Sequence, residues 1–192
     1  EGQLIKFAKL AFRRPPVDGE LEPILEMVRT KLEEGLSPLQ SLQLGFQTIL
    51  SAPGFLYLKE GEGDLGDYAL ASRLSYFLWS SMPDGELFDL AEQGKLKDPE
   101  TLSAQVDRML ADPKSKRPTS NFLRVWLELD NIGKMPPSKE VVSFYRDNLE
   151  SAMRWETELL FEHVLRNNLP PRELLAANYS FLNRELAEHY GM

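Results

Sequence analysis

Apolar residues recur every three or four positions along nearly the whole chain, and proline, glycine or a capping aspartate or serine cuts each run. That spacing lines one face of an α-helix, whereas a half-buried strand alternates every second residue. Leu4, Phe7, Ala8, Ala11 and Phe12 keep the helical period, and Arg13-Arg14-Pro15-Pro16 ends the run. Asp18 is expected to cap a second helix striped by Leu21, Leu25, Val28 and Leu32 and closed by Gly35. Ser37 followed by Pro38 reads as the N-cap and first residue of a third helix, carrying Leu39, Leu42, Phe46, Ile49 and Leu50. Further helices are expected near 67–80, 84–93, 99–111, 118–130, 139–167 and 183–190. No stretch carries β-branched alternation between turns, and no repeat of solenoid period is visible. The expected fold is therefore all-α, an irregular multi-helix bundle. A small three-helix unit over 1–58 is followed by a glycine-rich, acidic linker over 59–66 and a larger helical domain over 67–192.

Composition narrows the function classes. A chain of 192 residues, 42% hydrophobic, can bury a real core. Its mean hydropathy is −0.35, and no apolar run approaches the roughly 18 residues of a membrane span. The net charge of −8, with basic residues scattered, lacks the footprint of a nucleic-acid partner. The absence of cysteine excludes disulfides, thiolate chemistry and covalent haem attachment within this stretch, and no cofactor is expected in it. No charged segment followed by an apolar one opens the chain, so no export signal is visible, and both ends read as cuts in a longer polypeptide. Nucleophile-elbow, phosphate-loop and dinucleotide-binding signatures are missing. The acidic loop over 59–67 lacks the ligand spacing of a calcium loop.

The candidate site residues come from two helices. Arg73 lies in a run of Leu, Tyr, Phe and Trp, flanking an apolar side expected to consist of Leu70, Leu74, Phe77 and Leu78, with Ser72, Ser75 and Ser80 on a weakly polar one. In the helix over 139–167, Val142, Leu149, Met153, Glu156, Leu160 and His163 share a face, which sets a carboxylate in an apolar stripe. A buried carboxylate needs a cation or hydrogen-bond donors, and Arg73 is the expected partner. Removing one member of such a buried pair costs about 3–5 kcal/mol. Glu156 and His163 lie about 10.5 Å apart along the helix axis, too far to share a metal ion, and neither histidine has the glutamate three residues earlier that di-iron bundles use. No metal site is expected. An acid/base pair of Glu156 with His163 has no accompanying nucleophile. Trp79 and Trp126 lie on apolar helices and are expected in the core; Trp155 falls off the stripe and is expected to meet a neighbouring helix, a partner or a ligand.

Three strings, DYALASRLSYFLWSSMPDGELFDLAEQGKL, NFLRVWLEL and the C-terminal MRWETELLFEHVLRNN to ELLAANYSFLNRELAEHYGM, resemble in order a helical domain of unknown function from cytochrome-linked, planctomycete-specific proteins. FAKLAFRRPPVDGEL resembles the smaller helical domain that precedes it in those proteins. The matched positions include Arg73, Ser75, Trp79, Trp126, Glu156, Asn183 and Tyr190. Gly85 departs where an acidic residue is common, and Val125 where a polar residue often stands. The resemblance implies a fragment of an exported, extracytoplasmic protein with a cytochrome-c-like module elsewhere in its chain. Haem would reside there, and other domains of the same chain would be the partners. It supplies no catalytic residue. The leading expectation is a non-catalytic interaction or scaffold role. The alternatives are part of an extracytoplasmic enzyme with a site near Arg73 and Glu156, redox-coupled to the cytochrome, and a small-molecule binding module marked by an aromatic-walled pocket near Trp155.

Overall fold

The computed structural model describes residues 1–58, 60, 63–134, 138 and 147–192. Among them every regular element is helical and no strand occurs. The helices are α1 (Gly2–Ala11), α2 (Glu22–Glu33), α3 (Pro38–Ser51), α4 (Pro53–Leu56), α5 (Asp67–Trp79), α6 (Gly85–Glu92), α7 (Pro99–Ala111), α8 (Lys116–Trp126), α9 (Asp147–Arg166), α10 (Glu173–Ala176) and α11 (Arg184–His189). Short 3-10 turns cover Pro113–Ser115 and Leu129–Asn131. The chain forms two compact units, Glu1–Asp112 and Pro113–Met192. The helices α5 to α7 thus share a compact unit with the N-terminal helices, although the acidic, glycine-rich stretch precedes them.

Local chemistry explains several helix starts. Ser37 accepts from the Gln40 backbone N–H while Gln40 accepts from the Ser37 N–H, a reciprocal capping box. Asp84 and Asp98 accept from the N–H groups of Leu87 and Thr101 at the starts of α6 and α7. The second helix begins at Glu22, later than Asp18 suggests. Gly19 turns the chain at positive φ, and Glu20 is engaged by Arg14 at 2.8 Å and by the Val17 N–H at 3.0 Å. The helix expected over 118–130 ends at Trp126 because Glu128 adopts a left-handed conformation, φ 51°, ahead of the 3-10 turn. The helix expected over 139–167 is described from Asp147; residues 139–146, with Val142, lie outside the described residues.

In the first unit, α1, α2 and α3 enclose Leu4, Ala8, Phe12, Ile24, Leu25, Val28 and Ile49. Gly45 of α3 permits this closeness, since a Cβ there would lie 2.7 Å from a Leu4 methyl and 3.1 Å from Val28. A second cluster joins Ala71 and Trp79 of α5 to Leu87, Ala91, Leu96 and Met109. Leu70, Leu74 and Leu78 of the expected apolar side pack against this cluster, but the most buried positions of α5 lie beside them. Ala71, Ser72, Ser75 and Trp79 point inward, and Phe77 is 78% exposed. Small side chains bring the neighbouring helices close enough to enclose the Trp79 ring, whose Nε1–H donates to the Met109 carbonyl at 2.9 Å. Arg108 lies over that ring at 5.3 Å and reaches the Asp84 carboxylate at 2.8 Å.

Arg13 is also in this unit. It is buried at φ 58°, and its guanidinium donates to the Gly54, Phe55 and Tyr57 carbonyls at 3.2, 2.9 and 3.4 Å, and to the Tyr76 hydroxyl at 3.4 Å. A cation at the carbonyl end of α4 satisfies acceptors that the four-residue helix leaves open. The second unit has a thinner interior, with Leu149, Ala152 and Leu186 at its centre and Met153 and Leu182 against them.

Candidate functional site

The expected buried pair of Arg73 with Glu156 is corrected by the structure. Arg73 is on the outer face of α5, its side chain 58% exposed, and its guanidinium is bound in bidentate fashion by Glu60, with Nε 2.6 Å from one oxygen. This hydrogen-bonded pairing holds Glu60 below the usual carboxylate range. Because the buried side of α5 is built from alanine, serine and tryptophan, the wheel position of Arg73 faces solvent. The cavity beside this pair, lined by Phe12, Arg13, Glu60, Tyr68 and Ser72 among others, encloses about 30 Å³, room for one water molecule.

Glu156 has different partners. Its carboxylate, half-buried on α9, accepts a hydrogen bond from the Ser180 hydroxyl on one oxygen and from the Tyr190 hydroxyl at 2.8 Å on the other. The bond from Tyr190 to a carboxylate favours the neutral phenol and pushes the tyrosine pKa up. Ser180 lies in the irregular segment between α10 and α11, and Tyr190 just past the end of α11. Asn183 caps α11 by accepting from the Leu186 N–H at 2.9 Å, which directs its amide N–H groups away from the helix. One carboxylate thus ties α9 to the connecting segment and to the last helix.

Beside this triad is an open cleft of about 390 Å³, lined by Ala152, Trp155 and Leu159 of α9 and by Ser180, Phe181, Leu182 and Asn183. The volume falls in the range of small-ligand sites, and the apolar walls with a few polar groups fit that class. Trp155, 58% exposed, is one wall. His163 is one helical side over: its ring packs against Tyr179 at 5.4 Å and Phe181 at 5.3 Å, and Asn167 lies 3.2 Å from its Nδ1. The structure therefore uses His163 to buttress the segment that forms the cleft. Among the described residues, no three histidine, aspartate or glutamate side chains gather into a metal-binding group.

The tryptophans divide. Trp79 is 1% exposed, in the core as expected. Trp126 is not a core residue: it is 53% exposed, stacked at 5.4 Å on Phe122, which in turn meets Phe161 at 5.8 Å. The inward position of α8 belongs to Leu123, so Phe122, Val125 and Trp126, spaced i, i+3, i+4, form an outward stripe. Ser180 and Phe181 were not among the residues singled out from sequence. Their only local signal is an aromatic-rich irregular run, Asn178 to Phe181, between two helical stretches.

Residues 65–192 match the family described as PSD4: Protein of unknown function (DUF1592). The chain belongs to this family. Residues 1–60 match the family described as PSD5: Protein of unknown function (DUF1595), so the DUF1592 region here follows a second helical region of unknown function. No curated protein and no solved structure matches the chain. Among the described residues no helix is long and apolar enough to cross a membrane.

Proposed function

We propose that this chain is a non-catalytic helical interaction module of an exported multidomain protein, and that its second unit attaches it to a neighbouring domain of the same polypeptide. The observation that carries this reading is the outward apolar stripe of α8, Phe122, Val125 and Trp126, continued by Phe161. Clusters of exposed aromatic side chains mark protein contacts in soluble proteins. The export, the extracytoplasmic location and the cytochrome-c-like module as a partner rest on the resemblance to planctomycete proteins, as does haem elsewhere in the full-length chain. Arg73 and Glu156, around which the catalytic alternative was drawn, each have partners within their own unit, Glu60 for the former and Ser180 and Tyr190 for the latter.

The test supplies the rest of the full-length polypeptide in trans and measures association with the purified chain by sedimentation velocity. Association is expected, and the double change Phe122→Ser with Trp126→Ser is expected to weaken it at least ten-fold while leaving the circular dichroism of the chain unaltered. No association, or an unchanged affinity in the double variant, ends this reading.

A second reading is favoured by a different observation: the aromatic-walled cleft at Trp155 makes the same unit a small-ligand binding module. Its check is ligand-induced displacement of the Trp155 indole N–H resonance.

A further inference from the structure

We propose that the Trp155 cleft binds a small organic cation, an ammonium or guanidinium group carried on an apolar body. The inference rests on the reading of that cleft as a ligand site and names the chemistry of its occupant. Three features point to positive charge. First, the Trp155 ring is a wall of the cleft and more than half exposed, so its electron-rich face is open to a cation. Second, Ser180 belongs to both the cleft and the triad: it lines the former and donates to Glu156, which places a carboxylate one hydrogen bond behind the cleft wall. Third, Glu156 has two hydroxyl donors, and among the described residues no cationic side chain pairs with it. Its nearest basic neighbour in sequence, Arg154, is occupied by the Leu129 and Ile132 carbonyls at 3.3 and 2.5 Å.

The two hydroxyls fix the carboxylate without neutralising it. A carboxylate oriented in advance can attract an incoming cation with little rearrangement, while Ala152, Leu159, Phe181 and Leu182 take up the apolar part of the ligand. The amide N–H groups of Asn183 remain available for a hydroxyl or carbonyl on it. An anion would be repelled by the Glu156 carboxylate behind Ser180, and a fully apolar molecule would leave the attraction of that carboxylate unused. The cation has two possible sources, a free ammonium compound or a lysine side chain of a protein segment, and they share this chemistry.

The test follows the Trp155 indole N–H by NMR, assigned from Trp155→Phe, with the Trp126 indole as a control. The probes are choline, its neutral isostere 3,3-dimethylbutan-1-ol, and N-acetyl-lysine methylamide. Either cation is expected to bind at least ten-fold tighter than the neutral isostere without moving Trp126, and the tighter of the two identifies the source. Glu156→Gln should abolish the ten-fold preference and leave binding of the isostere intact. Should that variant lose its circular dichroism, Trp155→Leu, at an exposed position, supplies the second check, read by isothermal titration calorimetry with the same three probes because the indole reporter is gone, with the preference expected to fall likewise. Equal binding of cations and isostere, or an undiminished preference in Glu156→Gln, overturns the cation proposal while the cleft stands as a ligand site. If none of the probes moves Trp155, the proposal and the cleft reading fall together.

Discussion

At the scale of single residues, the side chains that hold this fold are those with several partners. Arg13 binds three backbone carbonyls around α4 and faces the rings of Phe55 and Tyr76, both 5.9 Å from its guanidinium carbon. Replacing it with methionine keeps the bulk but leaves the carbonyls unpaired, and is expected to cost about 2–3 kcal/mol in urea unfolding. Arg13→Lys should rescue less than half of this, because an ammonium cannot span the same fork of acceptors. Tyr190 carries a pH signature. Its pKa is raised in the folded state by the bond to Glu156, so the contact stabilises fully below about pH 10 and is lost as pH rises through the elevated value. Tyr190→Phe is accordingly expected to be less stable than the wild type at pH 8, with the two converging in strongly alkaline buffer when melting temperature is followed against pH. Partners of this kind were only partly legible. Asp84, Asp98 and Ser37 act on backbone groups three residues away, so residue type and order suffice to find them. The partner of Arg73 depends on which side of α5 faces inward, and that is settled by packing.

At the scale of elements, helix identity was readable and helix orientation was not always. The spacing of apolar residues marks α1, α2 and α3 as helices and finds most of the buried stripe of α1 and α2, but in α3 Ser41 and Gly45 join Ile49 inside, and Leu39 and Leu50 are exposed. In α5 a hydrophobicity ranking is right only in part: Leu70, Leu74 and Leu78 pack against the core cluster, but Ala71, Ser72 and Ser75 sit deepest, where large residues would hold the helices apart, and Phe77 is exposed. In α8 the same ranking placed Trp126 inside, but Leu123 fills that position and the left-handed turn at Glu128 ends the helix early. Close approach also governs α3. Gly45→Val would force a side chain against Leu4 and Val28, and should destabilise the chain by about 1–3 kcal/mol in the same unfolding experiment. An equivalent change at Gly85, where a Cβ meets nothing within 4 Å, should not reproduce that cost.

At the scale of the whole molecule, composition and periodicity established the helical class, while the compact units follow contacts that no local signal announces. The acidic stretch over 59–66, expected as a linker because glycine and charge suit exposed chain, falls where the two family matches meet, at 1–60 and 65–192, while compactness divides the chain at Asp112 and Pro113. The pocket near Trp155 was among the expected alternatives, but its second wall was not legible, since it forms only where the irregular segment around Ser180 and Phe181 lies along α9. Among the described residues, the two units also differ in what they bury. The first encloses two clusters of large aliphatic and aromatic side chains, whereas the second centres on Leu149, Ala152 and Leu186. Differential scanning calorimetry is expected to resolve two transitions, with the lower one belonging to the second unit; substitutions at Leu149 should move that transition and leave the upper one in place. The placement of the tryptophans supplies a natural optical readout of this difference. Trp79, sealed in the first unit, should emit at short wavelength and resist iodide, while Trp126 and Trp155 in the second should emit further to the red and be quenched readily. One unlabelled sample can therefore report each half of the chain in its own colour.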